Sequence, residues 1–216
     1  MKKFLLGLVA LSLLFSACTP HDVAVAKRIS KSTVLVHIRL RKGERTGGAL
    51  CSGVVVSPNE ILLAAHCVNP PEGISIDKIW VRDFNDRVQE ATVERKEPQQ
   101  DLAILKVKKR EIPARIGSEV RVGQPVIVVG MPLGVEWCVT KGIVSKTDVK
   151  VETVPYAIFF ITDATVLPGN SGGGVWNERG ELVGIVSMST SILGGFGAAG
   201  LGIIVDTETV RGFLDR

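Results

Sequence analysis

Apolar and polar positions alternate in short bursts along most of this chain. In Thr33–Leu40, Val34, Val36, Ile38 and Leu40 share one face, and His37 and Arg39 share the other. That two-residue period is the signature of a half-buried strand. Ala49–Ser57 and Ile61–Ala65 follow, parted by the turn residues Ser57-Pro58-Asn59-Glu60. Lys78–Arg82, Val88–Arg95 and Leu102–Val107 continue the series. Lys108–Gly117 is charged, contains Pro113 and reads as a linker. Strand-like runs resume at Pro125–Val129, Val139–Ser145, Ala157–Ala164, Gly173–Trp176, Leu182–Ser187 and Gly202–Val205. Short strands at this spacing, with no long amphipathic helix, predict an all-β fold of barrels or sandwiches. Only Thr207–Arg216 reads as helical, its apolar stripe made by Thr209, Val210, Phe213 and Leu214. Residues 19–32 are polar and mixed, and predict a tether. No internal repeat or low-complexity tract is visible.

The first residues follow a different rule. Met1-Lys2-Lys3 is positive, Phe4–Phe15 is an apolar stretch too short to span a bilayer comfortably, and Ser16-Ala17-Cys18 brings small residues up to a cysteine. The segment resembles a bacterial lipoprotein signal in which Cys18 becomes the lipidated N-terminus, although Phe15 stands where leucine is usual. Ordinary secretion and a retained anchor are the alternatives. All three place the mature chain outside the cytosol, where disulfides persist.

Composition narrows the classes. A chain of 216 residues allows one compact unit or two small barrels. With 45% hydrophobic and 22% charged residues it is too apolar to be disordered. The formal charge of +4 includes Lys2 and Lys3; without them 24 basic residues face 22 acidic ones, which gives no case for nucleic acid.

Three strings carry candidate chemistry. In Pro168-Gly169-Asn170-Ser171-Gly172-Gly173-Gly174 a serine sits among glycines. A serine nucleophile needs an adjacent base and backbone N–H groups aimed at the developing oxyanion. Glycines let the chain turn sharply and let a substrate approach the backbone. A glycine-rich β-turn is the plain alternative. The strand–serine–helix elbow of other hydrolases does not fit, because a strand follows Gly173. His66 ends an apolar strand in Ala64-Ala65-His66-Cys67, whereas His21 lies in the tether and His37 on a polar strand face. By itself such a histidine is more often structural, although the small Ala64 and Ala65 leave room for something to pack closely. Asp101 stands at the mouth of the buried run Leu102-Ala103-Ile104-Leu105. It is either a solvated strand cap or a partly desolvated partner for an imidazole. Asp77, Asp83, Asp86 and Asp163 are its rivals.

Taken together, the chain order His66, Asp101, Ser171 is that of the chymotrypsin-type triad and not of the two other known orders. At this point the sequence resembles the trypsin-like serine proteases, in their Deg/HtrA-related bacterial branch. Cys51-Ser52-Gly53 before Ala-Ala-His66-Cys67 matches the trypsin pattern. Thr162-Asp163-Ala164 before Pro168-Gly-Asn-Ser-Gly-Gly matches the Deg/HtrA string, and Gly184-Ile185-Val186-Ser187 resembles the strand that pairs with substrate backbone. The resemblance covers roughly Thr33–Val205.

The resemblance implies two six-stranded antiparallel β-barrels with a short C-terminal helix. Residues 1–18 would be the signal, 19–32 the tether, 33–112 the N-terminal barrel and 113–216 the C-terminal barrel. It implies a serine endopeptidase acting through an acyl-enzyme, with His66, Asp101 and Ser171 catalytic. Gly169, Asn170 and Ser171 would form the oxyanion hole, with the N–H groups of 169 and 171 as donors. Thr165, Val166, Leu167, Ser187, Met188 and Ser189 would line a primary pocket without an acid, suited to a small or medium apolar side chain. Cys51 and Cys67 would form a disulfide, leaving Cys138 as a free thiol or an intermolecular partner. No cofactor and no metal is implied; partners would be protein or peptide substrates, and the membrane through Cys18 if it is acylated. Asn170 replaces the aspartate that captures a new N-terminus in animal trypsins, and no Ile-Val-Gly-Gly start exists, so zymogen activation of that kind is not expected. A C-terminal PDZ domain, usual in the branch, is not expected either. Three competing readings are an inactive protease-fold module that binds peptides by strand pairing, a structural envelope lipoprotein, and an esterase.

Overall fold

The computed structural model describes residues 21–108, 112–189 and 201–216. Both halves of the alternating pattern close on themselves. The first comprises β1 (Thr33–Lys42), β2 (Arg45–Ser57), β3 (Glu60–Leu63), β4 (Ser75–Arg82), β5 (Val88–Glu97) and β6 (Leu102–Val107). Their order is β1-β2-β3-β6-β5-β4, and antiparallel pairing of β4 with β1 shuts the barrel. The second comprises β7 (Pro125–Gly130), β8 (Cys138–Val151), β9 (Val154–Thr162), β10 (Gly174–Trp176), β11 (Leu182–Ser189) and β12 (Gly202–Asp206). Their order is β10-β11-β12-β9-β8-β7, closed by β7 against β10. Closure removes the exposed edges that such valine-rich strands would otherwise present. This is the expected pair of six-stranded antiparallel barrels.

Each barrel has its own apolar filling, around Val36, Ile61, Leu63 and Leu105 in the first and Val128, Phe160, Val175 and Val186 in the second. A third cluster joins them, with Val54, Leu62 and Ile104 from one barrel meeting Ile127, Trp176 and Ile185 from the other. The site described below lies along that seam.

Some elements exceed their sequence limits. β2 begins at Arg45 because the hairpin continues outward past its buried part, turning at Gly43 with φ +58°. β8 runs on to Val151 through three register shifts against β9, and the alternation that marks its first half resumes beyond Val144 with the opposite phase. Residues 21–30, expected within a tether, form helix α1 (His21–Ser30). Its Val25 and Ile29, four residues apart on one face, are buried in the inter-barrel cluster. Asp22 pairs with Lys141 (2.9 Å), and Arg28 donates to the Arg179 carbonyl. Only two apolar anchors in ten residues were too few to announce a helix. The expected C-terminal helix is α2 (Thr207–Leu214), capped by Asp206 Oδ1, which accepts from Thr209 N at 2.9 Å. Burial pushes the Asp206 carboxyl above the ordinary carboxylate range, against the pull of that cap. The proposed signal and Cys18 lie outside the described residues.

Candidate active site

β3 ends at Leu63, and the chain then makes a single 3₁₀ turn, Ala65–Val68. Ala65, Cys67 and Val68 face inward, so His66 is left outward at the seam with 49% of its side chain exposed. Cys51 on β2 is disulfide-bonded to Cys67 and fixes the turn from beneath, the Cα atoms 6.4 Å apart. The Ala65 amide donates to the Asp101 carbonyl (3.0 Å), which ties the turn to the start of β6.

Asp101 sits in the left-handed region at φ +52°, after a tight turn closed by Gln100 N→Glu97 O and Asp101 N→Pro98 O. Aspartate is among the few non-glycine residues that tolerate this region. The twist turns the carboxylate inward until only 6% of the side chain is exposed. Burying it requires compensating donors, and three are present. His66 N donates to Oδ1 (2.9 Å), His66 Nδ1 lies 3.0 Å from Oδ2 and 3.1 Å from Oδ1, and the Ser187 hydroxyl donates to Oδ2 (2.5 Å). A carboxylate facing Nδ1 favours the tautomer protonated there and leaves the Nε2 lone pair directed outward.

The rival acids have other partners. Asp77 pairs with Arg39 and Arg41, and Asp163 accepts from Ile143 N (2.7 Å). Asp86 lies 3.5 Å from Arg82. Burial pushes the Asp83 carboxyl up, but Arg87 and the amides of Asn85 and Arg87 outweigh it and hold that group below the usual range.

Pro168–Gly174 brings Ser171 to the same place. Gly169 and Gly172 adopt φ +101° and +81°, which lets the loop fold back on itself. Asn170 N donates to Leu167 O, Gly173 N to Asn170 O and Gly172 N to Val186 O. Ser171 O accepts from Ser52 N (2.9 Å), and Cys67 Sγ is 3.8 Å from it. Among the described residues the amides of Gly169 and Ser171 make no hydrogen bond. Asn170, expected in the oxyanion set, instead has its amide engaged by Leu167 O. The Ser171 hydroxyl is turned towards Ser187 O at 3.3 Å.

Several expected pocket residues are placed differently. Val166 belongs to the second barrel's apolar filling, and Ser189 is also buried. Ser187 is fully buried, its hydroxyl under Asp101 and its carbonyl facing Ser171. A bulge between Val186 and Met188 interrupts the alternation of β11 that would have aimed Ser187 at a pocket. Thr165 is exposed, and Leu167 and Met188 are half-buried. The role of Ser187 towards Asp101 had no signal in sequence spacing, since 86 residues separate them.

Residues 51–185 match the trypsin-like peptidase domain family. The chain belongs to the trypsin-like peptidase family. Among curated members of this family it is similar to probable periplasmic serine endoproteases, DegP-like, of Hahella chejuensis and Ectopseudomonas mendocina. With the first it is 35% identical over 77% of this chain and 35% of that protein. With the second it is 36% identical over 71% of this chain and 32% of that protein. The chain thus spans about a third of the length of these relatives. Among solved members of the family, the HtrA-type protease AlgW with tripeptide superposes with a TM-score of 0.77, 25% identity and cover of 91% of this chain and 63% of that one.

Proposed function

We propose that this protein is a serine endopeptidase of the bacterial cell envelope. The observation that carries the reading is the buried Asp101 carboxylate gripping both the ring and the backbone of His66, across the seam from a serine loop with two unpaired amides. In the reactive arrangement the Ser171 hydroxyl leaves Ser187 O and donates to His66 Nε2. The imidazole takes the hydroxyl proton as the oxygen adds to a peptide carbonyl, and Asp101 stabilises the imidazolium. The Gly169 and Ser171 amides receive the oxyanion. The tetrahedral adduct collapses, His66 gives the proton to the leaving amine, and water repeats the sequence on the acyl-enzyme.

A fluorophosphonate probe tests this on the purified chain. It is expected to label the protein once, and peptide mass mapping is expected to place the adduct on Ser171. No labelling, or an adduct elsewhere, overturns the reading in favour of an inactive peptide-binding module. Export is supported by relatives named periplasmic, and the Cys18 signal would add a lipid anchor; the mass of the mature N-terminus checks both.

For specificity, Thr165, Leu167 and Met188 remain as the accessible members of the proposed primary pocket, with no acid among them. Nothing there would pair with a substrate arginine or lysine. Scanning a peptide library is expected to show small or medium apolar residues before the scissile bond; enrichment of Arg or Lys refutes the pocket.

A further inference from the structure

We propose that Ser52 is a positioning residue for the oxyanion site, a step that rests on the reading of Ser171 as nucleophile. Ser52 lies on β2 of the first barrel and is fully buried. A buried hydroxyl is costly unless it is paired, and this one is paired in both senses. It donates to Gly169 O (2.9 Å) and accepts from Met131 N (3.1 Å). Its own amide donates to Ser171 O. One residue of the first barrel therefore holds positions 131, 169 and 171 of the second. Two of those positions carry the unpaired amides.

The hydroxyl acts where the chain has least stiffness of its own. Gly169, at φ +101°, has no Cβ to restrict its carbonyl, so the peptide needs an external pin. A second pin comes from Leu133 N, which donates to Pro168 O (2.7 Å) and fixes the peptide bearing the Gly169 N–H. The Met131 amide that Ser52 accepts from begins that same turn. Ser52 thus ties both pins together. Gly130 leaves room for the knot: a Cβ there would sit 2.9 Å from Ser52 Oγ and 2.5 Å from Asn170 Oδ1. Packing alone would be served by alanine, whereas the two bonds require the hydroxyl.

Ser52→Ala in the full chain tests this against wild type. Deleting a whole oxyanion donor costs on the order of 10²–10³ in kcat; alanine keeps the Ser52 amide on Ser171 O but frees Gly169 O and Met131 N, and loosening the donor at Gly169 is expected to cost roughly ten- to a hundred-fold, with KM within about threefold. Affinity for a peptide boronate, whose adduct places an oxygen in the hole, is expected to fall by the same factor, while affinity for the product peptide holds. Hydrogen exchange is expected to speed up at the Met131, Leu133 and Asn170 amides and to stay unchanged in β1. Activity and boronate affinity within twofold of wild type overturn the proposal, as does exchange that accelerates equally throughout the barrel. If wild type itself hydrolyses nothing, the nucleophile reading fails separately. Exchange then decides for Ser52: local acceleration supports it and unchanged protection overturns it.

Discussion

Asp101→Asn is expected to lower kcat by about 10⁴-fold while KM stays within a few-fold, the scale of this change in chymotrypsin-type triads. The expectation follows from which atoms face the carboxylate. In the wild-type arrangement His66 N, His66 Nδ1 and Ser187 Oγ all donate to it. An asparagine side chain offers one acceptor oxygen and one donor nitrogen in the same space. The oxygen can serve the His66 amide. The nitrogen then faces Nδ1 and donates to it, which moves the ring proton to Nε2. An imidazole protonated at Nε2 cannot take the Ser171 proton. The backbone should survive, because asparagine also tolerates the left-handed conformation that residue 101 adopts at φ +52°. Steady-state kinetics on a peptide amide, with the thermal midpoint measured alongside, checks both halves. A kcat within tenfold of wild type removes Asp101 from the mechanism. Asp101→Ala is a poorer probe, since it strands three donors and places a residue with no local hydrogen bond in a strained region.

The strands were legible in two ways: β4 buries one face and alternates, whereas β6, β7 and β11 are buried on both faces, between a barrel's filling and the inter-barrel cluster, and read as short continuous apolar runs bounded by turns. Legibility failed where neither pattern held. β8 changes phase where its register shifts, its inward positions passing from even to odd numbers after Val144, and the outer half of the β1–β2 hairpin is exposed on both faces, so neither stretch shows one continuous period. Helix α1 is held by Val25, Ile29 and two polar contacts to the second barrel, a tertiary arrangement with little local signature. The residues proposed as the triad stood out through their neighbours: small alanines before His66, glycines around Ser171, an apolar run after Asp101. Their supporting residues did not. Ser187 and Ser52 are serines on apolar strands, and their partners lie 86 and 117 residues away. A hydroxyl of that kind declares its role only when the two barrels are brought together.

The same convergence makes Gly172→Ala a substitution expected to damage stability severely. Gly172 adopts φ +81°, which costs an alanine roughly 1–2 kcal/mol. The added methyl would also fall on Ser52 O and lie 2.8 Å from Leu63 Cβ and 2.9 Å from Ala64 N. Those neighbours belong to β2 and to the end of β3, and none is the free end of a flexible side chain. Overpacking of this kind costs about 1–3 kcal/mol more. The variant is therefore expected to lose about 2–5 kcal/mol in urea unfolding, a large share of a typical 5–15 kcal/mol. The loop can relieve the clash only by moving away from Ala64, two residues before His66. It would stretch the bond from Ser52 N to Ser171 O and draw Ser171 from His66, its proposed base. The molecules that remain folded should thus also label poorly with a fluorophosphonate. Gly212→Ala supplies the contrast: Gly212 lies in α2 with nothing within 4 Å of an added Cβ, and the change is expected to stabilise by about 0.5–1 kcal/mol. If both variants shift the unfolding midpoint by similar amounts, the packing of the nucleophile loop against the first barrel is not what holds Ser171 in place.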